Sequence, residues 1–426
     1  MRTLRQGDWG STVELLQWGL RRAGERIKID GIFGPKTGEA LRRWQARAGL
    51  EADGIAGPLA WAALHPILTG LRAHTVRKGE TFEAIAARYG AKPRAVAAAN
   101  PLARPDRLTP GETLRVPLPG SAVPVNLRWS SELLALSIEA LRGRYPFLAV
   151  STIGSSVLGR PIWQLTIGAG KLRVGYNAAH HANEWITTPV LLRFLEQFAA
   201  GAAFGGKAGG VDFKQLYENY TLDIVPMVNP DGVDLVTGAL DENSQAWRQA
   251  QAIAAGFPSI PFPDGWKANI EGTDINLSYP AGWETAKRLK YAQGFDRPAP
   301  RDYVGPAPLS APEAAAMACR ARRADYRLIL AYHTQGKLIF WKYADFRPEG
   351  AYALGRRMEA VSGYTLETTP EYSGHAGYKD WFIQEWNRPG YTIECGKGIN
   401  PLPLSQFGEI YRDNFGILVL GMAGVE

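Results

Sequence analysis

The stretch GYNAAHHANEW, residues 175–185, carries two of the chain's six histidines side by side, with Glu184 three residues beyond the second. It emerges from an apolar run, LRVGYNAA, that reads as a buried strand. An imidazole and a carboxylate spaced i, i+3 on one helical turn or tight loop point to one place, and that donor pair suits Zn2+. His181 and Glu184 have this spacing. A catalytic zinc needs a third protein ligand and an open position. Among the other histidines, His65 and His74 fall in the N-terminal segments, and His375 lies in the glycine-rich SGHAGYKDW. His333 ends the strand-like run RLILAYHT, and strand tips of an open α/β sheet face a cleft. His333 is therefore the expected third ligand. Alone, an HxxE pair is more often a surface feature than a site.

Outward from this stretch, LDIVPMV, RLILAYHT and GYTIEC are also nearly continuous in apolar residues, the pattern of strands covered on both faces. Between them, TTPVLLRFLEQFAAG and SAPEAAAMACRARRAD read as helices. The second opens on Ser310 and Glu313, spaced as a capping box. The expected fold class is α/β with a mostly buried, mixed sheet.

The chain of 426 residues exceeds one small domain and predicts two or three units. At 46% hydrophobic and 21% charged residues it can bury a core, which excludes disordered and fibrous classes. A net charge of +7 suggests an anionic partner, whether nucleic acid, membrane or wall polymer, or else simply a basic soluble protein. No nucleic-acid motif accompanies the charge, so an anionic wall is the more economical reading. Cys319 and Cys395 are too few for a disulfide framework or a cysteine-rich zinc site, though one bridge stays open. No apolar run approaches the ~18–20 residues of a membrane span.

The N-terminal segment contains a repeat: Asp-Gly-Ile-x-Gly-Pro occurs at Asp30–Pro35 and again at Asp53–Pro58. Each Gly/Pro turn opens a helical stretch, with Ala40, Leu41 and Trp44 after the first and Trp61 and Leu64 after the second. Val13, Leu16 and Leu20 mark an earlier amphipathic helix. Residues 1–66 resemble the peptidoglycan-binding domain family, a three-helix module. Residues 73–119 contain HTVRKGETFEAIAARYG and TPGETLRVP. Thr75-Val76 and Thr113–Val116 read as short strands, Phe82, Ile85 and Ala86 as one helix face, and Val96 as the start of a second helix. This segment resembles a LysM module, a βααβ unit that binds N-acetylglucosamine-containing glycans. PGSAVPVNL, 119–127, reads as a linker.

In the remaining 128–426, five features accompany His181-Ala-Asn-Glu184-Trp: Asn229-Pro-Asp-Gly232, Thr273-Asp-Ile-Asn276, His333, Tyr372 and Glu394. Tyr372 precedes Asp380-Trp381 by eight residues and Glu394 by twenty-two. The ordered set resembles the zinc carboxypeptidase family. The resemblance implies a mixed-sheet catalytic domain and one zinc per chain, held by His181, Glu184 and His333. It implies Glu394 as general base, Asp274 as the carboxylate orienting a zinc histidine, and Tyr372 as a mobile phenol over the substrate.

The chain also departs from the family pattern. Where the family has Arg after the position of Asn276, this chain has Leu277, which cannot grip a terminal carboxylate in two places. Asn276 itself remains a substrate contact. In Trp266-Lys267-Ala268-Asn269, Lys267 stands where the family carries Arg; it offers a point charge to a developing oxyanion, or it is a surface lysine. Lys379, before Asp380, lies at the family's specificity pocket. It implies a substrate side chain bearing a carboxylate, such as diaminopimelate or an acidic residue, unless it turns to solvent. Together these features resemble the γ-D-glutamyl-meso-diaminopimelate peptidase branch. The expected reaction is zinc-dependent hydrolysis of that bond in peptidoglycan stem peptides. The alternatives are a general carboxypeptidase preferring acidic C-termini and a catalytically inactive wall-binding protein. The expected partners are peptidoglycan glycan and stem peptides, with no obligate protein partner evident. MRTLRQGDWG lacks a signal-peptide core, so the expectation is action at the wall or on its fragments with cytoplasmic residence, a non-classical exit, or a signal already removed from this sequence.

Overall fold

The computed structural model describes residues 1–104, 107–208 and 210–425, so positions 105 and 106 of the expected LysM module and the terminal 426 lie outside the described residues. The chain divides into two compact units, Met1–Ala149 and Val150–Glu426.

In the first unit the DGIxGP repeat builds the same local structure twice. Gln17, on helix Ser11–Arg22, accepts the backbone N–H groups of Asp30 and Gly31 at 2.9 Å and donates to Asp30 Oδ1 and Ile32 O. Gln45, on helix Pro35–Arg47, accepts from Gly54 N–H and donates to Asp53 Oδ1 and Ile55 O. Gly31 (φ 72°) and Gly54 (φ 75°) occupy the left-handed region that glycine enters without a Cβ penalty. Pro35 and Pro58 open their helices, the second being Pro58–Thr69, at positions where a missing N–H costs nothing. Leu16, Leu20, Leu41, Trp44, Trp61 and Leu64 are all buried. Gln17→Ala leaves two turn N–H groups without their acceptor, a cost of about 1–3 kcal/mol. The expected readout is faster hydrogen–deuterium exchange across the first DGIxGP turn but not the second; unchanged exchange would show that the clamp contributes nothing.

Strand Leu71–Thr75 then pairs antiparallel with Thr113–Pro117, enclosing helices Phe82–Arg88 and Pro93–Ala99. The first strand thus begins upstream of the expected Thr75-Val76. LRAH alternates apolar and polar residues, but burial runs against that pattern, with His74 buried and Ala73 exposed; its pairing register with Pro117–Leu114 makes it a strand. Val76 continues the ladder, donating to Glu112 O and accepting from Gly111. Thr81 caps the first helix through Ala84 N–H. Val76, Phe82, Ile85, Ala86, Val96, Leu114 and Val116 form the core.

The second unit is built on an eight-stranded mixed sheet. Its strand order is Thr365–Glu367, Leu338–Phe340, Gly390–Cys395, Leu328–Thr334, Leu172–Ala178, Tyr220–Val225, Pro161–Ile167, Ala149–Ser155. The four central strands are parallel to one another. Every residue of Leu328–Thr334 is buried, and its alternation explains why. Ile329 and Ala331 join a cluster with Ala314, Met317 and Trp381 of helices Pro312–Ala324 and Tyr378–Trp386. On the other face, Leu330 meets Gly421 of helix Phe407–Ala423, and the neighbouring Tyr176 donates its hydroxyl to Leu418 O at 2.8 Å. Helices on both faces make both side-chain sets apolar. Each fully buried aliphatic or aromatic side chain contributes about 1.5–3 kcal/mol.

Ser310 and Glu313 do not form the expected capping box. Ala311 is the N-cap and makes no side-chain cap bond. Pro312 takes the first helical position, which leaves Glu313 one residue short of the place a capping glutamate needs. Glu313 is instead buried, accepting Val157 N–H and Asn269 Nδ2–H, each at 3.2 Å, and burial pushes its carboxyl up to about 7. Both cysteines are free, Cys319 exposed and Cys395 buried. Among the described residues no helix is long and apolar enough to cross a membrane.

Candidate metal centre and active-site cleft

The parallel strands carry the site to one edge of the sheet. Leu172–Ala178 runs straight into His180 and His181, Leu328–Thr334 carries His333 near its end, and Gly390–Cys395 carries Glu394 directly opposite His333 in register. After the first strand the chain turns sharply through Ala179, a non-glycine residue at φ 51°. His181 then begins the short 3-10 turn Ala182–Glu184. The Asn-Pro-Asp-Gly motif holds this turn. Asn229 donates to His180 O and Ala268 O at 3.2 and 2.9 Å and caps helix Pro230–Thr237 through Gly232 N–H. A Cβ at Gly232 would lie 2.7 Å from Ala268 O and 2.8 Å from Ala182 Cβ, so only glycine permits this approach.

His181, Glu184 and His333 present ligand atoms within 4.8 Å of one another. Glu184 Oε1 lies 2.9 Å from His181 Nδ1, Glu184 Oε2 lies 3.0 Å from His333 Nδ1, and the two Nδ1 atoms are 3.3 Å apart. His181 Nε2 faces Asp274 Oδ1 at 3.2 Å, the outer contact that leaves Nδ1 to be a ligand. Two imidazole nitrogens converging on one carboxylate demand positive charge between them. Burial disfavours the His181 imidazolium, yet Glu184 and Asp274 raise its pKa to about 9. Burial also opposes the Glu184 charge, but His181 and Lys267 hold its pKa well below the usual range. A divalent cation meets the same demand while releasing the proton. The donor set, two imidazoles and a carboxylate with a supporting aspartate, fits zinc.

His180 takes no part. It is buried, with Nε2 3.0 Å from the Tyr279 hydroxyl, and it stacks on His333. His375 stays outside the ligand cluster, near the Tyr343 hydroxyl. Lys267 reaches Glu184 Oε1 at 3.0 Å. The Glu394 carboxylate makes no hydrogen bond among the described residues; burial, and then the Glu184 charge, raise its pKa to about 8.

Next to these groups lies a cavity of about 260 Å3, bordered by His181, Lys267, Asp274, Glu394, Tyr372 and Lys379. Asn276 and Leu277 also border it. Asn276 Oδ1 accepts Tyr378 N–H at 3.0 Å, while its amide nitrogen has no partner among the described residues. Tyr372, 64% exposed, stands at the mouth. Lys379 turns inward rather than to solvent, only 3% exposed. Its ammonium donates to Lys342 O at 2.7 Å and Thr369 Oγ1 at 3.2 Å, and lies 2.6 Å from Asp380 Oδ1. A second cavity, of about 830 Å3, shares Lys267, Tyr372 and Glu394 and extends to Asn183, Thr334 and Asn400.

Three contributors are absent from the sequence reading. Thr334 N–H donates to Glu184 Oε2 at 3.2 Å, and Asn400 Nδ2 lies 3.5 Å from Glu184 Oε1. Arg301 borders both cavities. The first acts through its backbone, and the others sit in loops whose sequence carries no spacing signal.

The family model for zinc carboxypeptidase matches residues 135–416. The chain belongs to the zinc carboxypeptidase family. Models for the peptidoglycan binding domain and the LysM domain match residues 10–64 and 74–117 of this family member. It is 44% identical over 285 residues to Gamma-D-glutamyl-L-diamino acid endopeptidase 1 of Lysinibacillus sphaericus, covering 67% of this chain and 70% of that one. It is 38% identical over 284 residues to YqgT of Bacillus subtilis, covering 64% and 72%. Its fold is similar to thrombin activatable fibrinolysis inhibitor, with a TM-score of 0.56 at 19% identity, covering 72% of this chain and 80% of that chain.

Proposed function

We propose that this zinc carboxypeptidase family member hydrolyses the γ-D-glutamyl–meso-diaminopimelate bond of peptidoglycan stem peptides, at the wall or on wall fragments. The observation that carries this reading is the combination, in one chain, of the peptidoglycan-binding and LysM matches with 44% identity to an endopeptidase named for γ-D-glutamyl-L-diamino acid substrates. Leu277 in place of an arginine supports it, since it removes a fork that would select a terminal carboxylate.

His181, Glu184 and His333 would hold one zinc, which supplies Lewis acidity and a water acidic enough to ionise near neutral pH. Asp274 accepts from His181 Nε2 and so directs Nδ1 inward. Glu394, whose carboxylate has no hydrogen-bond partner among the described residues, takes the proton of the attacking water and returns it to the leaving amine nitrogen. Lys267 places positive charge beside the reacting carbonyl; as a point charge it needs less exact alignment than an arginine fork. The Asn276 amide N–H groups offer donors to the substrate, and Tyr372 closes the mouth over it. Lys379 adds positive charge at the cavity wall, partly balanced by Asp380.

Incubation with stem tripeptide and tetrapeptide, read by mass spectrometry, should release diaminopimelate and diaminopimelyl-D-alanine respectively. Release of free D-alanine from the tetrapeptide would instead establish a general carboxypeptidase.

A further inference from the structure

We infer that Arg301 is the substrate-carboxylate anchor of this cleft, standing in for the guanidinium that Leu277 lacks. The inference rests on the proposed function for the identity of the substrate, but its geometry is independent of that reading.

The charges around the 260 Å3 cavity divide unevenly. Each lysine is already matched to a carboxylate: Lys267 to Glu184 at 3.0 Å, Lys290 to Asp302 at 2.6 Å, and Lys379 to Asp380 at 2.6 Å. Arg301 is tied at one point only. Its Nε donates to Asp302 Oδ2 at 2.6 Å, and its two terminal nitrogens have no hydrogen-bond partner among the described residues. Its side chain is 42% exposed, on the border of both cavities. A guanidinium clamped through Nε with its terminal nitrogens open can still grip a carboxylate in two places.

The mount of Arg301 is also tied to the metal centre. Asp302 holds a left-handed backbone at φ 66°, uncommon for a non-glycine residue. Its N–H donates to Asp274 Oδ2 at 3.1 Å, and Asp274 Oδ1 faces His181 Nε2 at 3.2 Å. Pro300 O accepts the N–H groups of Lys267 and Ala268 at 2.7 and 3.0 Å. One aspartate thus orients a metal ligand with one oxygen and holds the Arg301 loop with the other. That arrangement sets a constant offset between the reacting carbonyl and the carboxylate that Arg301 holds.

The stem tripeptide offers three such carboxylates: the α-carboxylate of the γ-linked glutamyl residue, and the terminal and distal carboxylates of the diamino acid. The test compares wild type, Arg301→Gln and Arg301→Lys on the parent tripeptide and on three analogues: the glutamyl α-carboxamide, the terminal carboxamide, and the peptide with lysine in place of diaminopimelate. Removing the anchored carboxylate should lower kcat/KM of wild type on the order of 10- to 100-fold. Arg301→Gln should show the same loss on the parent and no further loss on that one analogue. Arg301→Lys should recover part of the loss, and zinc content should not change. Additive losses on all three analogues would overturn the assignment, whichever bond is cut.

If wild type leaves the tripeptide uncut, the proposed substrate falls. Arg301 is then read by calorimetry with free meso-diaminopimelate and D-glutamate. Binding that Arg301→Gln abolishes sustains the anchor; equal binding by both proteins, or none by wild type, overturns it.

Discussion

Glu394→Gln is expected to keep its zinc and lose turnover by about 10²- to 10⁴-fold, the range that removal of a general base produces. The glutamine matches the carboxylate in size and leaves the pairing of Gly390–Cys395 with the His333 strand untouched. It cannot accept a proton. Glu394 is not among the converging ligand groups, so zinc content by elemental analysis should equal that of wild type. Its carboxylate makes no internal hydrogen bond, so no structural bond is lost. The substitution also removes a group that burial pushes towards neutrality, so folding should not suffer. KM should change little and kcat should carry the effect. Turnover within about tenfold of wild type, with zinc retained, would remove Glu394 from the role of base.

Glu184→Ala is expected to abolish both zinc binding and activity and to lower stability. Glu184 is the hub of the cluster, meeting His181, His333, Lys267 and the Thr334 N–H within 3.2 Å. Without it, Lys267 keeps a buried positive charge with no close partner, and breaking one side of such a pair costs about 3–5 kcal/mol. The wild-type melting temperature should rise with added zinc, by an amount equivalent to about 2.7 kcal/mol at a hundredfold excess over the dissociation constant. The variant should show no zinc-dependent rise and a lower starting value. A variant that still binds one zinc and responds to it would place the metal elsewhere.

The site was legible where chemistry leaves short, regular spacing. His181 and Glu184 sit three apart because one turn must aim both, and His333 ends an apolar strand because strand tips open onto the cleft. The N-terminal repeat was legible for a similar reason: a left-handed glycine and a helix-opening proline are local demands that any copy must repeat. The Ser310–Glu313 signal misled because Pro312 moved the helix start by one position, and tertiary partners at Val157 and Asn269 claimed the carboxylate.

Other features exist only after folding. In linear order Lys379 reads as a pocket lysine only through the family resemblance, with a solvent-facing lysine left open; its inward turn depends on Lys342 O, thirty-seven positions away. Arg301 in PRDY resembles any surface arginine until Asp302 and Asp274 link it to a histidine 120 residues earlier in the chain (301 − 181). Linear order therefore specified the α/β class, through apolar periodicity, and the family, through the resemblance its ordered motifs carry; it also nominated His181, Glu184 and His333, whose ligand atoms the fold brings within 4.8 Å of one another. Which cation in the cleft keeps open donors for an anion was decided by the fold, because it depends on how carboxylates both near and far in sequence share themselves among four basic side chains.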